Sequence, residues 1–205
     1  TNTAINYDLA SGWHTGVNFA DVNADGYLDI YVGQSGITDD RSQLQNLLFI
    51  NNRDNTFTEK GEEFGVNCDK RTTHSAFFDY DNDGDLDLYV LNHPKTNGSD
   101  NLSDEKMRQF ILEGEDADVL FRNDNGHFTD VTLAAGIQSN TYGLGIAASD
   151  LDNDGDIDIY ISSDFSGPDF LFVNNGDGTF TEDIRNQTNH ISNFSMGNEV
   201  ADFNN

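Results

Sequence analysis

The chain has 205 residues, 36% of them hydrophobic, and its 37 acidic residues against 10 basic ones give a formal net charge of −27. Such a charge repels nucleic acid and anionic membrane surfaces, which excludes both as partners. No apolar run approaches the ~18 residues of a membrane-spanning helix, and the single cysteine excludes an internal disulfide framework.

From the N-terminus onward, one bipartite unit repeats. Its first signature is an acidic window that runs into an apolar segment, and its second combines a Leu-Phe pair, an Asn-rich turn and a Phe-Thr pair. Thirteen of the 37 acidic residues lie in the three complete windows, so the acidity is concentrated rather than spread as a solvating coat. Repetition on this scale is typical of solenoids and propellers. The first signature reads DVNADGYLDIYV from Asp21, DYDNDGDLDLYV from Asp79 and DLDNDGDIDIYI from Asp150, and a truncated copy starts at Asp202.

Each unit predicts four strands: an approach strand, then strands of the LDIYV, LLFIN and TFTE types. Segments such as 30–32 are apolar on consecutive positions, which favours strands covered on both faces. The Asn/Gly/Asp-rich segment 174–179 predicts a hairpin between the last two strands. We therefore predict an all-β fold, a β-propeller with four-stranded blades, in which residues 1–205 supply three complete blades and part of a fourth.

Variation in length is confined to one connection per unit. The closing Phe of each unit lies 22 residues before the next first Asp, whereas 27, 41 or 21 residues separate the first Asp from the Leu-Phe pair. We expect the variable connections 33–46, 91–119 and 162–169 to emerge on one face, the longest with a short helix over 104–112. An aromatic residue precedes the first Asp by eight positions and is predicted to pack between blades in three units: Trp13, Tyr142 and Phe194, with Arg71 in the remaining unit.

The acidic windows share the pattern D-x-[DN]-x-D-G-x-[LI]-D, with oxygen side chains at positions 1, 3, 5 and 9 and glycine at position 6. Alternating oxygens around a tight turn can converge on a hard cation, and calcium accepts such ligands in flexible geometry, unlike magnesium or zinc. We predict about one Ca²⁺ per complete repeat, with a backbone carbonyl from position 7, whose side chain points to solvent as at Asp85. The predicted ligands are Asp21, Asn23, Asp25, Tyr27 and Asp29 in loop 21–29; Asp79, Asp81, Asp83, Asp85 and Asp87 in loop 79–87; Asp150, Asp152, Asp154, Asp156 and Asp158 in loop 150–158; and Asp202 and Asn204 in the truncated loop from 202.

Two positions refine this interpretation. Asn23 replaces an acid at position 3, so we predict that the first loop binds calcium least tightly. The competing EF-hand motif requires a bidentate glutamate at position 12 between two helices. Position 12 is instead Val32, Val90 or Ile161, each inside a predicted strand, which excludes an EF-hand.

With these loops and the second signatures, the chain resembles the FG-GAP/VCBS calcium-binding repeats of integrin α-subunit propellers and bacterial surface proteins. Its segments GHFTDVTLAAGI (126–137) and GIAASDLDNDGDIDIY (145–160) are similar to bacterial proteins that carry an ASPIC/UnbV region. The resemblance implies a propeller, commonly seven-bladed, with calcium between the first two strands of each blade. Three complete repeats are too few to close a propeller, so we interpret the chain as a fragment of a larger one.

No catalytic constellation is evident: the histidines fall at unrelated repeat positions and no nucleophile has a paired base, so we predict a protein that is not an enzyme. The first hypothesis is an extracellular or cell-surface scaffold, secreted or on a bacterial outer membrane, that binds a protein partner through the variable connections. The alternative is a carbohydrate-binding or polysaccharide-processing propeller. Exposed aromatic platforms would favour it, but the connections contain Phe110 and Phe165 and no tryptophan.

Overall fold

The computed structural model describes residues 4, 5, 7, 12–95, 114–164, 167–192 and 194–201. Within them, each repeat forms one four-stranded antiparallel sheet whose strands are neighbours in chain order. The first blade comprises β1 (Trp13–Ala20), β2 (Asp29–Ser35), β3 (Leu47–Asn51) and β4 (Phe57–Glu59); the second β5 (Thr72–Phe78), β6 (Asp87–Asn92), β7 (Val119–Asn123) and β8 (Phe128–Asp130); the third β9 (Tyr142–Ser149), β10 (Asp158–Asp164), β11 (Phe170–Asn174) and β12 (Phe180–Glu182). The predicted all-β architecture of four-stranded propeller blades is confirmed.

The cores lie between the blades, which explains the consecutive apolar residues. In β6, Leu88 and Val90 pack toward the first blade, in a cluster with Tyr31 and Leu48. The intervening Tyr89 packs the other way, with Ile159 and Ile161 of the third blade. Because side chains alternate across a strand, a middle blade needs apolar residues at every position of β6. All six residues of β6 are buried, so the two-sided cover predicted for these strands is confirmed.

Short helices follow the closing strands: α1 (Gly61–Phe64), α2 (Thr132–Ala135) and α3 (Ile184–Gln187). The first two end at Gly65 (φ 81°) and Gly136 (φ 72°), whose left-handed backbone favours glycine. The segment of constant length between the closing Phe of one unit and the first Asp of the next therefore includes a short helix and the connection to the next blade. The sequence did not predict these helices, because four residues are too few to display a helical period.

The residue eight positions before each loop has no single role. Tyr142 stacks on His93 of the second blade, with ring centroids 6.3 Å apart, so its packing between blades is confirmed. Trp13 and Phe194 are 63% and 69% exposed, and for them the packing between blades stays a prediction. Each lies on an outer side of the three blades, where no described blade covers it.

The variable connections leave the blades at the ends of β2, β6 and β10, opposite the acidic loops. Those of the first two blades meet through Arg71, whose guanidinium pairs with Asp116 at 2.8 Å and donates to the carbonyls of Gly36 and Thr38 at 3.1 and 2.7 Å. Arg71 and Asp116 are both buried. A 3₁₀ helix, Arg41–Gln43, lies in the first connection. The predicted helix over 104–112, with Phe110, and residue Phe165 lie outside the described residues.

Candidate metal centres

Each acidic loop turns through two left-handed residues. Position 4 has φ of 54°, 59° and 65° at Ala24, Asn82 and Asn153, and the glycine at position 6 has φ of 86° to 99°. A side-chain carbon added to that glycine would meet no atom within 4 Å in any of the three loops. The glycine is therefore required by backbone conformation rather than by space, as the sequence predicted.

Carboxylates converge in the second and third loops. One oxygen each from Asp79, Asp81 and Asp87 lies within 4.8 Å of the other two, and Asp150, Asp152 and Asp158 form the same arrangement. Oδ1 of Asp79 and Oδ1 of Asp81 are buried and accept no hydrogen bond from the described residues. Buried carboxylate oxygens normally have partners. Carboxylate oxygens that face one another and accept no hydrogen bond are suitable ligands for a Ca²⁺ ion.

Position 9 anchors each loop to the sheet. Asp87 is fully buried, and its Oδ1 and Oδ2 accept hydrogen bonds from the backbone amides of Asn123 at 2.8 Å and Tyr80 at 2.9 Å. Burial, ahead of the nearby acids, raises the pKa of Asp87 to about 7, and burial also raises the pKa of Asp29. The same pair of backbone contacts recurs at Asp29 and Asp158. A cation beside these buried carboxylates would favour their ionised form.

Positions 1 and 5 shape the turn. Asp79 Oδ2 accepts a hydrogen bond from the amide of Gly84 at 3.0 Å, and Asp83 Oδ1 accepts from the amide of Asp85 at 2.9 Å. The carboxylates at position 5 do not belong to the three-residue groups found in the described chain. Of the predicted side-chain ligands, positions 1, 3 and 9 are thus brought together in the second and third loops, whereas position 5 is engaged with its own backbone. The position-5 residues are Asp25, Asp83 and Asp154, each of which accepts from the amide two residues later.

The prediction that the position-7 side chain points idly to solvent is wrong. Asp85 is half-buried and its Oδ2 accepts a hydrogen bond from the amide of Asn125 at 2.7 Å. Asp156 Oδ1 accepts from the side-chain amide of Asn82, in the loop of the preceding blade, at 2.7 Å. In each blade, the hairpin turn between the third and fourth strands packs against the acidic loop of the same blade. Position 7 lies at that contact. Whether position-7 carbonyls bind metal stays a prediction.

The first loop differs in its charges. Arg53, in the turn between β3 and β4, donates from Nη2 and Nε to Asp25 Oδ2 at 2.9 and 3.2 Å. Its guanidinium lies 5.5 Å from the centroid of the Tyr27 ring. This pairing with Arg53 lowers the pKa of the Asp25 carboxyl. At position 3, Asn23 Oδ1 accepts from the amide of Asp25 at 3.2 Å, so an amide stands where the other loops place a carboxylate.

Asparagines that the sequence analysis missed join the loops of neighbouring blades. Asn123 Nδ2 donates to the carbonyls of Leu86, in its own loop, and Val22, in the loop of the first blade, both at 3.0 Å. Asn174 repeats this arrangement toward the third and second loops, at 3.2 and 2.8 Å. The signal was present, because asparagine ends the LLFIN-type strand in every unit: Asn51, Asn123 and Asn174.

Asp202 and Asn204, the predicted ligands of the truncated loop, lie outside the described residues and stay predictions. Position 12 lies in β2, β6 and β10, so the strand placement that excluded an EF-hand is confirmed. None of the helices in the described chain is long and apolar enough to cross a membrane.

Radially packed four-stranded sheets, each with an acidic loop between its first two strands, define a repeat protein of the β-propeller class. The chain belongs to the FG-GAP-like repeat family, whose model matches residues 36–90, 104–161 and 150–205. The first match begins in the variable connection of one blade and ends in β6 of the next, so sequence repeats and blades are out of phase.

No curated protein sequence matches the chain. Among solved structures, the chain is similar to a lectin of Agrocybe aegerita, described by its specific recognition of non-reducing terminal N-acetylglucosamine. The two share 17% sequence identity with a TM-score of 0.39, over 80% of this chain. The match covers 36% of the lectin, so the chain spans about a third of that protein's length.

Proposed function

We propose that the chain is a calcium-stabilised extracellular scaffold that binds a protein partner through its variable connections. The observation that carries the calcium part is the group of Asp79, Asp81 and Asp87, in which two buried oxygens have no hydrogen-bond donor among the described residues. Like charges so close together repel, and a bound Ca²⁺ would remove this repulsion. Metal binding would then be coupled to folding of each β1–β2 type of hairpin.

The matching group in the third loop supports a second ion, held by Asp150, Asp152 and Asp158. Extracellular calcium is abundant, so sites of modest affinity are filled there, which supports placement outside the cell or on its surface. We further propose that the scaffold is not an enzyme and that it falls among the VCBS-type, ASPIC/UnbV-associated bacterial repeats. The segments 126–137 and 145–160 support that finer assignment.

Thermal unfolding in calcium and in chelator tests the metal proposal. At a free Ca²⁺ concentration of about one hundred times Kd, each bound ion adds about 2.7 kcal/mol to the free energy of unfolding. We expect Ca²⁺ to raise the Tm, Mg²⁺ to have a smaller effect, and Asp81→Asn to reduce the calcium effect. Asp124→Asn, at a half-exposed position outside the acidic loops, is the matched control. Identical melting curves in calcium and chelator would refute the proposal.

The variable connections support the partner-binding part. Arg71 and Asp116 join two of them through a buried ion pair, and Arg41 also contacts Asp116 at 3.0 Å. A surface whose loops differ in length but are fixed to one another can present a defined shape to a partner. Cross-linking of the calcium-loaded protein in its native secretion or surface fraction tests this. Cross-links confined to the acidic-loop side would contradict it.

A specific observation favours the carbohydrate-binding alternative. Trp13, the only tryptophan, is 63% exposed and lines a cavity of about 200 Å³ with residues of the first variable connection. An exposed aromatic face beside polar groups suits a sugar ring. The sequence missed this platform because Trp13 lies in β1 rather than in a connection. The remaining lining residues are Ser35, Gly36, Ile37, Thr38 and Gln43.

Because Trp13 is the only tryptophan, its fluorescence reports on this cavity alone. Titration with N-acetylglucosamine, galactose and glucose should shift or quench the emission if a sugar binds there. The matched variant Trp13→Phe should bind more weakly by calorimetry while the Tm stays unchanged. Unaltered emission up to high millimolar concentrations of all three sugars would rule out this alternative at Trp13.

A further inference from the structure

The hairpin turn between the third and fourth strands contacts the acidic loop in every blade. The residue two positions after the repeated asparagine makes this contact: Arg53 in the first blade, Asn125 in the second and Gly176 in the third. The amide of Asn125 donates to the position-7 carboxylate, Asp85, at 2.7 Å. A side-chain carbon added to Gly176 would lie 2.7 Å from Oδ2 of Asp156, the position-7 carboxylate of the third loop. One turn position therefore lies beside the loop in all three blades.

Only the first blade places a positive charge at this turn position. Arg53 holds Asp25 Oδ2 with two nitrogens at 2.9 and 3.2 Å and lies over Tyr27. The other carboxylate oxygens of this loop also have donors, since Asp21 accepts from the amides of Asp25 and Gly26. In the second loop, by contrast, Asp79 and Asp81 each retain a buried oxygen without a donor among the described residues. In the third loop, Asp150 accepts from the amides of Asp154 and Gly155 as Asp21 does, so the charge of Arg53 rather than these bonds separates the first loop from both others.

We propose that the turn residue at Arg53, Asn125 and Gly176 sets the calcium dependence of its loop, and that Arg53 serves the first loop as a built-in cation. This inference rests on the calcium-binding function proposed above and concerns its regulation. A guanidinium beside Asp25 neutralises one acid and repels an approaching Ca²⁺. The amide of Asn23 removes a second negative charge from the same loop. The first loop therefore keeps its shape without calcium, whereas the second and third loops depend on it.

Reciprocal substitutions test the proposal on the whole chain, with Ca²⁺ alone as the probe. We expect calorimetry of the wild type to show two ions and a much weaker third. Arg53→Asn should tighten the weak site about tenfold, the effect of removing one positive charge near a divalent ion in a solvent-exposed loop. Asn125→Arg should weaken one of the two stronger sites by about the same factor. Both residues have positive φ, 65° and 55°, so the backbone already accommodates arginine in such a turn.

Arg185→Gln is the matched control, because it removes an exposed arginine charge in α3, outside the acidic loops and the hairpin turns. It should leave the number and affinity of the ions unchanged. Unaltered binding in both Arg53→Asn and Asn125→Arg, with the wild type binding calcium, overturns this inference alone. A wild type that binds no calcium overturns the proposed function and this inference with it.

Amide hydrogen exchange in chelator gives a second readout that requires no bound metal. Residues 21–29 of the wild type should exchange more slowly than residues 79–87. Arg53→Asn should accelerate exchange in the first loop several-fold, whereas Arg53→Lys should retain part of the protection. Equal exchange of the two loops in the wild type, or an unchanged rate in Arg53→Asn, would overturn the role of Arg53.

Discussion

Asp118 is a buried acid in the second blade whose titration can be isolated by one substitution. Its Oδ1 accepts a hydrogen bond from the amide of Asn92 at 2.7 Å. Its Oδ2 accepts from the hydroxyl of Tyr89 at 3.0 Å and from Ser139. Burial raises the pKa of Asp118 to about 7, despite these donors. Asp118→Asn should therefore change how stability depends on pH.

The first blade shows that asparagine can occupy this position. Its equivalent, Asn46, accepts from the amide of Gln34 at 2.7 Å through Oδ1 and donates to the hydroxyl of Tyr31 at 2.9 Å through Nδ2. Asp118→Asn can adopt the same arrangement with Tyr89. The substitution thus removes a titrating proton while preserving a polar network that the fold already uses.

The magnitude follows from linkage between proton binding and folding. An unfolded aspartate has a pKa of about 3.9, so between that pH and about 7 the unfolded chain binds fewer protons at Asp118 than the native chain. The stability contributed by this group is complete below the unfolded pKa and is lost as pH rises through the native pKa. Each unit of pKa difference corresponds to about 1.4 kcal/mol, so the difference between about 3.9 and about 7 corresponds to a loss of about 4 kcal/mol.

Urea unfolding of wild type and Asp118→Asn, in saturating calcium from about pH 4 to about pH 8, measures the effect. Subtracting the two curves cancels the titration of groups that both proteins share. As pH rises, we expect the free energy of unfolding of Asp118→Asn to increase relative to that of wild type by up to about 4 kcal/mol. The exposed control Asp124→Asn should remain within about 0.5 kcal/mol of wild type. Parallel curves for wild type and Asp118→Asn would refute the reasoning.

Two contacts between structural units give further predictions. Asn123→Ala removes three side-chain hydrogen bonds, one of which reaches the acidic loop of the first blade, and should lower the free energy of unfolding by about 2 to 3 kcal/mol in denaturant titrations. Asn51→Ala, which loses two solvent-exposed hydrogen bonds within its own blade, should cost about 1 kcal/mol, and equal effects would contradict the coupling between blades. Arg71→Met breaks the buried pair with Asp116 and should cost about 3 kcal/mol, with faster proteolysis of segment 36–43. Unchanged cleavage would show that this pair does not hold the connection.

The regular part of the molecule was predictable because short-range patterns determine it. Apolar residues at every position of β6 required cover on both sides, and neighbouring blades supply it. Alternating acids around a glycine predicted that positions 1, 3 and 9 would converge, as they do at Asp79, Asp81 and Asp87. Both results follow from the two-residue period of strands and the conformational freedom of one glycine.

The contacts that distinguish one loop from another were not predictable in this way. Arg53 and Asp25 are 28 residues apart, and Asn125 and Asp85 are 40 apart, so no local period links them. They meet because the hairpin turn folds back on the acidic loop. Trp13 was likewise assigned to a blade interface by its repeat position, whereas its exposure depends on which blades surround it.

The bonds that the strand-ending asparagines make to the neighbouring blade run in one direction along the chain. The donors, Asn123 and Asn174, belong to the later blade, and the acceptors, the carbonyls of Val22 and Tyr80, belong to the earlier one. Donor and acceptor are 101 and 94 residues apart. At a synthesis rate of about 5 to 20 residues per second, a nascent loop awaits its partner for about 5 to 20 seconds. Each blade is thus completed by its successor, and we expect pulse-labelled exchange on stalled ribosomes to find the most recently made blade the least protected.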